Sequence, residues 1–259
     1  MEVLDTTIAN VALRNIAGGL AVGPDEAAWV VTTYLVANAI VLCASGWAAV
    51  YFGRKRFYMA CVLLFTISSV ACGFATSLDQ LLLFRIMQGL GGGGMAPVSQ
   101  SILTDSFPPQ KRGQAFALYG IAVVVAPVVG PTLGGWITDN YSWHWVFLIN
   151  APVGVLSLAL VHLCVEDSAA AVKKRKEAGR RLNFDFVGFA LLATALGSLE
   201  VVLDQGQRDD WFGSNFIVAF AIASGFAFIA FVPWALSRNE PIIDLRLLLT
   251  RQFGMCFVV

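Results

Sequence analysis

The sequence predicts an all-α, polytopic helical membrane protein, and three observations predict it. The chain is 58% hydrophobic and only 13% charged, where a soluble domain is nearer half apolar and a quarter charged. The apolar excess falls into runs of about twenty residues, the length that crosses a bilayer as a helix. Alternating ten-residue strands, which a transmembrane barrel requires, are absent from the pattern.

Taken in order, residues 3–20 form a weaker first span. Stronger spans follow at about 28–50, 57–74, 81–103, 115–137, 143–165, 186–202 and 212–236, and Phe253 opens another apolar run. Short loops join the first six, so 1–165 reads as a six-helix bundle. The polar stretch 166–183, rich in Ala, Lys and Arg, is a basic connection. Residues 184–237 add two helices. Residues 238–259, with "PIIDLRLLLTRQF" at 241–253, are an amphipathic connection leading into a ninth helix. Met1 is followed almost at once by membrane sequence, without the basic n-region or cleavage site of a signal peptide. Val259 ends inside an apolar run. A longer parent chain is expected from both ends.

Charge position orients the spans. Arg54, Lys55 and Arg56 follow span two, Lys111 and Arg112 follow span four, and Lys173, Lys174, Arg175, Lys176, Arg180 and Arg181 follow span six. The odd connections carry Asp25, Glu26, Asp79, Asp139, Asp209 and Asp210, with Arg208. The positive-inside rule places the even connections, and the N-terminal side, in the cytoplasm. The cysteines have no metal-ligand spacing. No nucleophile–histidine–acid set stands out among the two histidines, so neither a metal site nor an enzyme is expected, and no cofactor. "GGGGM" at 91–95 lacks the lysine of a phosphate-binding loop.

Two charges stand inside apolar runs. Arg85 lies in "LLLFRIMQGLGGGG", where an arginine at mid-bilayer costs roughly 2.5–3.5 kcal/mol on insertion scales. Gln88 and Gly89 extend a polar, narrow face one turn on. Asp5 lies in "VLDTTIANVAL", and with Thr6 and Asn10 it covers an arc of about 140°. Low dielectric favours the neutral form of a carboxyl and a nearby arginine favours the charged form, so such a pair can switch with conformation. A simpler role for Arg85 is to tie helices through backbone carbonyls, and for Asp5 to cap a frayed helix end.

"GIAVVVAPVVGPTLGG" at 120–135 combines membrane hydropathy with residues that break soluble helices. Gly120, Pro127, Gly130, Pro131, Gly134 and Gly135 fall within an arc of about 140° on a helical wheel. Gly130 and Gly134 form a small-xxx-small pair that admits a close neighbour, and the prolines bend the helix in a way a bundle can tolerate.

These stretches resemble motifs of the major facilitator superfamily, and within it the fourteen-spanning drug/proton antiporters of the EmrB/QacA type. The Gly/Pro helix resembles the antiporter motif of the fifth helix, Arg85, Gln88 and Gly89 that of the fourth, and Asp5, Thr6 and Asn10 that of the first. "WHWVFLINAPVG" at 143–154 is similar to the group's entry to the sixth helix, and "PIIDLRLL" at 241–248 to its approach to the ninth. Gly46, Gly53, Arg54 and Lys55 match the family's cytoplasmic loop motif, although Val50 and Tyr51 stand where that loop carries an acid and a base. His144 stands where arginine is common, and Arg14 where proline is common.

The resemblance implies two six-helix bundles with two helices between them, this chain being the first bundle, the insert and the edge of the second. It implies proton-coupled export of hydrophobic or cationic small molecules across the inner (plasma) membrane, with Asp5 and Arg85 handling the proton. Thr6, Asn10 and Gln88 would line the substrate path, and the Gly/Pro helix would gate. The implied partners are drug-like small molecules, protons, the lipid bilayer and a periplasmic adaptor protein, with no nucleic acid. Two other readings stay open: export of one specific metabolite or peptide, and a non-transporting membrane sensor or assembly subunit.

Overall fold

The computed structural model describes residues 1–165, 184–238 and 241–246. The basic connection 166–183, and the ninth-helix start at Phe253, lie outside the described residues. The chain divides into two compact units, Met1–Glu177 and Ala178–Val259.

In the first unit, α1 (Glu2–Leu20) ends on Ala21 in the left-handed conformation, φ 54°. Gly23 then caps α2 (Pro24–Phe52), with Pro24 in its first turn, where a missing N–H costs nothing. The Gly23 amide donates to Glu26 Oε2 at 2.9 Å. Gly53, at φ 91°, is the hinge into α3 (Arg54–Cys72), and that backbone conformation favours glycine because it has no Cβ. Ser77 caps α4 (Leu78–Gly92), its hydroxyl accepting from the Gln80 amide.

The span expected at 81–103 is two helices, α4 and α5 (Met95–Ser106). The glycine run is the cause. A Cβ on Gly91 would meet the Phe65 backbone, one on Gly92 the side chains of Asn38 and Tyr34, and one on Gly94 the Cys61 sulfur at 2.6 Å. The bare backbone presses against α2 and α3 at once, and glycine's weak helix propensity lets the ladder break there. Gly93 and Gly94 keep right-handed dihedrals, so the chain bends without reversing.

A single 32-residue helix, α6 (Pro109–Asn140), carries both Pro127 and Pro131. The span expected at 143–165 divides at Ile149 into α7 (Trp145–Leu148) and α8 (Asn150–Cys164). The main core joins Ile8 and Ile16 of α1, Val30 of α2, Leu81 of α4, and Val146 and Phe147 of α7. A second cluster gathers Tyr34, Cys61, Val62, Phe65 and Met95.

The second unit pairs α9 (Phe186–Gln205) with α10 (Asn215–Ser237). Ser224 donates to the Ala195 carbonyl at 2.9 Å near the middle of both helices. Trp234 Nε1 donates to Asp185 Oδ1 at 3.0 Å, joining the end of α10 to the cap of α9, so the pair is antiparallel. Among the described residues six helical stretches are long and apolar enough to cross a membrane: α2, α3, α6, the combined Trp145–Cys164, α9 and α10. The described residues of the amphipathic stretch reach only Arg246.

Candidate functional site

The first unit encloses a polar cluster built from four helices. Asp5 stands in the first turn of α1, one face of which is packed through Ile8, Ala9 and Ala12. Arg85 and Gln88 project one turn apart from α4. Asn150 opens α8, and Ser69 comes from α3. All five are buried, Asp5 at 1% exposure and Arg85 at 0%.

Arg85 Nη1 donates to Asp5 Oδ2 at 2.7 Å and to Gln88 Oε1 at 2.8 Å. Its Nε donates to the Val30 carbonyl at 2.9 Å. Gln88 Nε2 and Asn150 Nδ2 both donate to Asp5 Oδ1, at 2.9 and 2.6 Å. Asn150 also donates to Ser69 Oγ at 3.0 Å, and Ser69 in turn to the Phe147 carbonyl. The guanidinium carbon lies 4.2 Å from the Tyr34 ring centroid and 5.6 Å from that of Phe147, a geometry attractive to a desolvated cation. Arg85 Nη2 has no hydrogen-bond partner among the described residues.

Such a pair is unlike a surface salt bridge. Taking two charges out of water costs several kcal/mol each, recovered only through close contact and further hydrogen bonds. Here those bonds are present on the carboxylate and on the Nε and Nη1 groups of the guanidinium, while Nη2 is left to the aromatic faces. Protonating Asp5 would leave Arg85 without its counter-ion, so the two charge states favour different packings.

The structure brings Asp5, Arg85 and Gln88 together, as the sequence suggested, and Asp5, though in the first turn of α1, is buried and makes no capping bond. Thr6 is half-buried and donates to the Glu2 carbonyl. Asn10 is exposed on the flank of α1 and takes no part in the cluster. The Gly/Pro arc divides. Gly130 and Gly134 are buried against Thr7 and Ile8 of α1, with an added Cβ on Gly134 lying 3.2 Å from Ile8 Cα. Gly120 and Gly135 have open space beside them, and Pro127 and Pro131 are exposed. In the loop motif, Gly46 is exposed and Gly53 makes the hinge. Arg54 pairs with Asp105 at the end of α5, and Lys55 Nζ donates to the His162 carbonyl at 2.8 Å. The loop therefore finds its acid on another helix, where Val50 cannot supply one.

Sequence reasoning missed Ser69, Tyr34 and Asp105, and it placed Asn150 in the sixth-helix motif without linking it to Asp5. Asn150 carried a signal, an amide inside an apolar run, but the others carried none that singles them out.

A helical bundle with a buried ion pair shared among several spans is the architecture of a membrane transport protein. The Major Facilitator Superfamily model matches residues 1–255, and the chain belongs to that family. It is 42% identical over 255 residues to the multidrug export protein EmrB of Haemophilus influenzae, covering 98% of this chain and 49% of that protein. It is 41% identical to EmrB of Escherichia coli K12, covering 98% and 48%. To the fatty acid resistance protein FarB of Neisseria gonorrhoeae it is 42% identical, again covering 98% and 48%. The chain thus spans about half the length of the curated relatives it matches. A crystal structure of a D-xylose–proton symporter shares the fold at TM-score 0.58 and 17% identity, over 91% of this chain and 65% of that one. The chain is a multi-pass membrane protein of a transporter family, not an enzyme.

Proposed function

We propose that this chain contributes the proton-handling bundle of an antiporter that exports hydrophobic or cationic small molecules in exchange for protons. The observation that carries the reading is the buried Asp5–Arg85 pair, closed by Gln88 and Asn150. Two fully buried charges are costly in a membrane protein, and where they persist they normally mark a path for ions or substrate. The relatives named for multidrug export support the substrate class. In this reading 1–165 is the bundle, 166–183 a cytoplasmic connection, 184–237 an added helix pair, and 238–259 the approach to a further helix. The protein lies in the inner membrane with its N-terminal side in the cytoplasm, and a periplasmic adaptor is its partner. Gln88 and Thr6 border the path and the α6 glycines set how closely α1 and α6 approach.

The test is substrate-driven proton movement in everted vesicles carrying the whole protein. Asp5→Asn should abolish coupling, and a variant that still exchanged ethidium for protons would remove Asp5 from the mechanism. The relative named for fatty acid resistance favours a second, narrower reading, export of a single class of amphipathic acid. A panel of cations and fatty acids in the same vesicles separates the two.

A further inference from the structure

Arg85 is held from two sides. α1 reaches it through Asp5, whose Oδ2 accepts from Nη1 at 2.7 Å. α2 reaches it through two contacts that involve no acid. The Val30 carbonyl accepts from Nε at 2.9 Å. One turn on, the guanidinium lies over the Tyr34 ring, its carbon 4.2 Å from the centroid. Nη2, with no hydrogen-bond partner among the described residues, depends on such a face. The ring is itself fixed. Tyr34 is fully buried, and the Phe65 ring of α3 meets it at 80° with centroids 6.4 Å apart. Two glycines of α4 clear its place: a Cβ on Gly89 would strike the Tyr34 carbonyl oxygen, and one on Gly92 would stand 2.9 Å from the hydroxyl. The hydroxyl has Thr6 beside it and accepts from Asn38 Nδ2 at 3.5 Å, beyond the usual range of a hydrogen bond. That amide's closer partner is Glu2 Oε1, at 2.7 Å. The part of Tyr34 that meets the buried pair is therefore its face.

We propose that Tyr34 is a positioning residue: the face of its ring keeps Arg85 on α2 when Asp5 is neutralised. The inference rests on the export reading and deepens it by naming what holds the arginine in the proton-loaded state. The negative face of an aromatic ring attracts net positive charge. Beside an ionised Asp5 the ring meets an ion pair, repelling the carboxylate as it attracts the guanidinium. Beside a neutral Asp5 it meets a bare cation, and its hold tightens. Glu2 on α1 is the other charged group acting on Tyr34. α3 brings the Cys72 thiol, 3.7 Å from Gln88 Oε1, and α8 the neutral Asn150 amide. Arg85 then stays with α2, and α1 is the element released.

The experiment is equilibrium unfolding of the full chain in mixed micelles, with Tyr34→Leu and Tyr34→Phe each made in wild type, Asp5→Asn and Arg85→Met. Tyr34→Leu also leaves a cavity, but that cost is common to the three backgrounds, so the difference between backgrounds isolates the contact with the cation. Tyr34→Leu should raise the unfolding constant about fivefold more in Asp5→Asn than in wild type, the difference between a screened and a desolvated cation–ring contact. In Arg85→Met it should raise it less than in wild type. Tyr34→Phe keeps the face and should restore each background. Where Tyr34→Leu does not fold, 3,4,5-trifluorophenylalanine incorporated at position 34 keeps the shape and weakens the face, and its difference from Tyr34→Phe gives the same reading. An equal cost in all three backgrounds would make Tyr34 a core ring and overturn the proposal. So would a Tyr34→Phe as damaging as Tyr34→Leu, which would place the role on the hydroxyl. Unfolding needs no proton gradient, so the two readings fail separately. A ring-dependent hold on Arg85, with coupled exchange surviving Asp5→Asn, would sink the export reading and keep the Tyr34 contact. Exchange that depends on Asp5 but not on the ring would sink only the role of Tyr34.

Discussion

Breaking the buried pair from one side should cost far more than removing it whole. In Asp5→Asn three donors, Arg85 Nη1, Gln88 Nε2 and Asn150 Nδ2, still converge on the side chain. An asparagine offers them one oxygen and turns an NH₂ toward the rest. Arg85 stays charged, fully buried, and already short of a partner at Nη2. Stranding one member of a buried ion pair typically costs about 3–5 kcal/mol, which for a chain of this size corresponds to a drop on the order of 10 °C in Tm. The double variant Asp5→Leu/Arg85→Met removes both charges and fills the space with apolar groups, a change that is often neutral or stabilising. The assay is thermal unfolding of the reconstituted chain, followed by tryptophan fluorescence, for wild type, the single variants Asp5→Leu and Arg85→Met, and their double variant. The single variants should unfold well below wild type and the double variant close to it. A double variant as unstable as the sum of the singles would refute the reasoning, because the two charges would then not be stabilising one another.

Gly130→Leu and Gly134→Leu should each destabilise by about 1–3 kcal/mol through overpacking, since their Cβ positions are closed by Thr7 and Ile8. Gly120→Leu and Gly135→Leu, with nothing within 4 Å, should stay within about 0.5 kcal/mol, both series being read by thermal unfolding. Gly89→Ala should cost about as much as the tight α6 changes, because the added methyl meets Tyr34 backbone and the Ala37 Cβ at 2.8 Å. Asp105→Asn should cost under about 1 kcal/mol and the difference from wild type should vanish in high salt, because the Arg54–Asp105 pair is about a third exposed.

Half of the polar cluster was legible from sequence because it breaks a pattern. Asp5 and Arg85 are charges in apolar runs, and Gln88 repeats Arg85's face one turn on. Asn150 contacts Asp5 across 145 positions, and no local periodicity reports such a pairing. The glycine run at 91–94 reads in the sequence as the middle of one span at 81–103, because the reason for its bend lies in Phe65, Tyr34, Asn38 and Cys61 on other helices. The arc on α6 was read correctly as an arc. A helical wheel gives angles without a neighbour, so it could not show that α1 covers only the edge holding Gly130 and Gly134. Val50 and Tyr51 suggested a loop without its acid; Asp105 supplies one from a helix end 51 residues from Arg54. Span lengths were legible from hydropathy, while the bend at Gly93–Gly94 and the division at Ile149 depend on packing.

The saturation of Asp5 has a mechanical meaning. Each donor to its carboxylate belongs to a helix other than α1: two to α4 and one to α8. A proton arriving at Oδ2 competes with the strand of contact to Arg85, and one arriving at Oδ1 competes with Gln88 and Asn150 together. If Asp5 carries the proton, as proposed above, neutralising its carboxylate weakens every charge-assisted contact that ties α1 to its neighbours. The two oxygens differ in what they hold, Oδ2 meeting α4 through the guanidinium and Oδ1 meeting α4 and α8 together. Under the proposed role, the carboxylate is thus the point at which α4 and α8 are both fastened to α1.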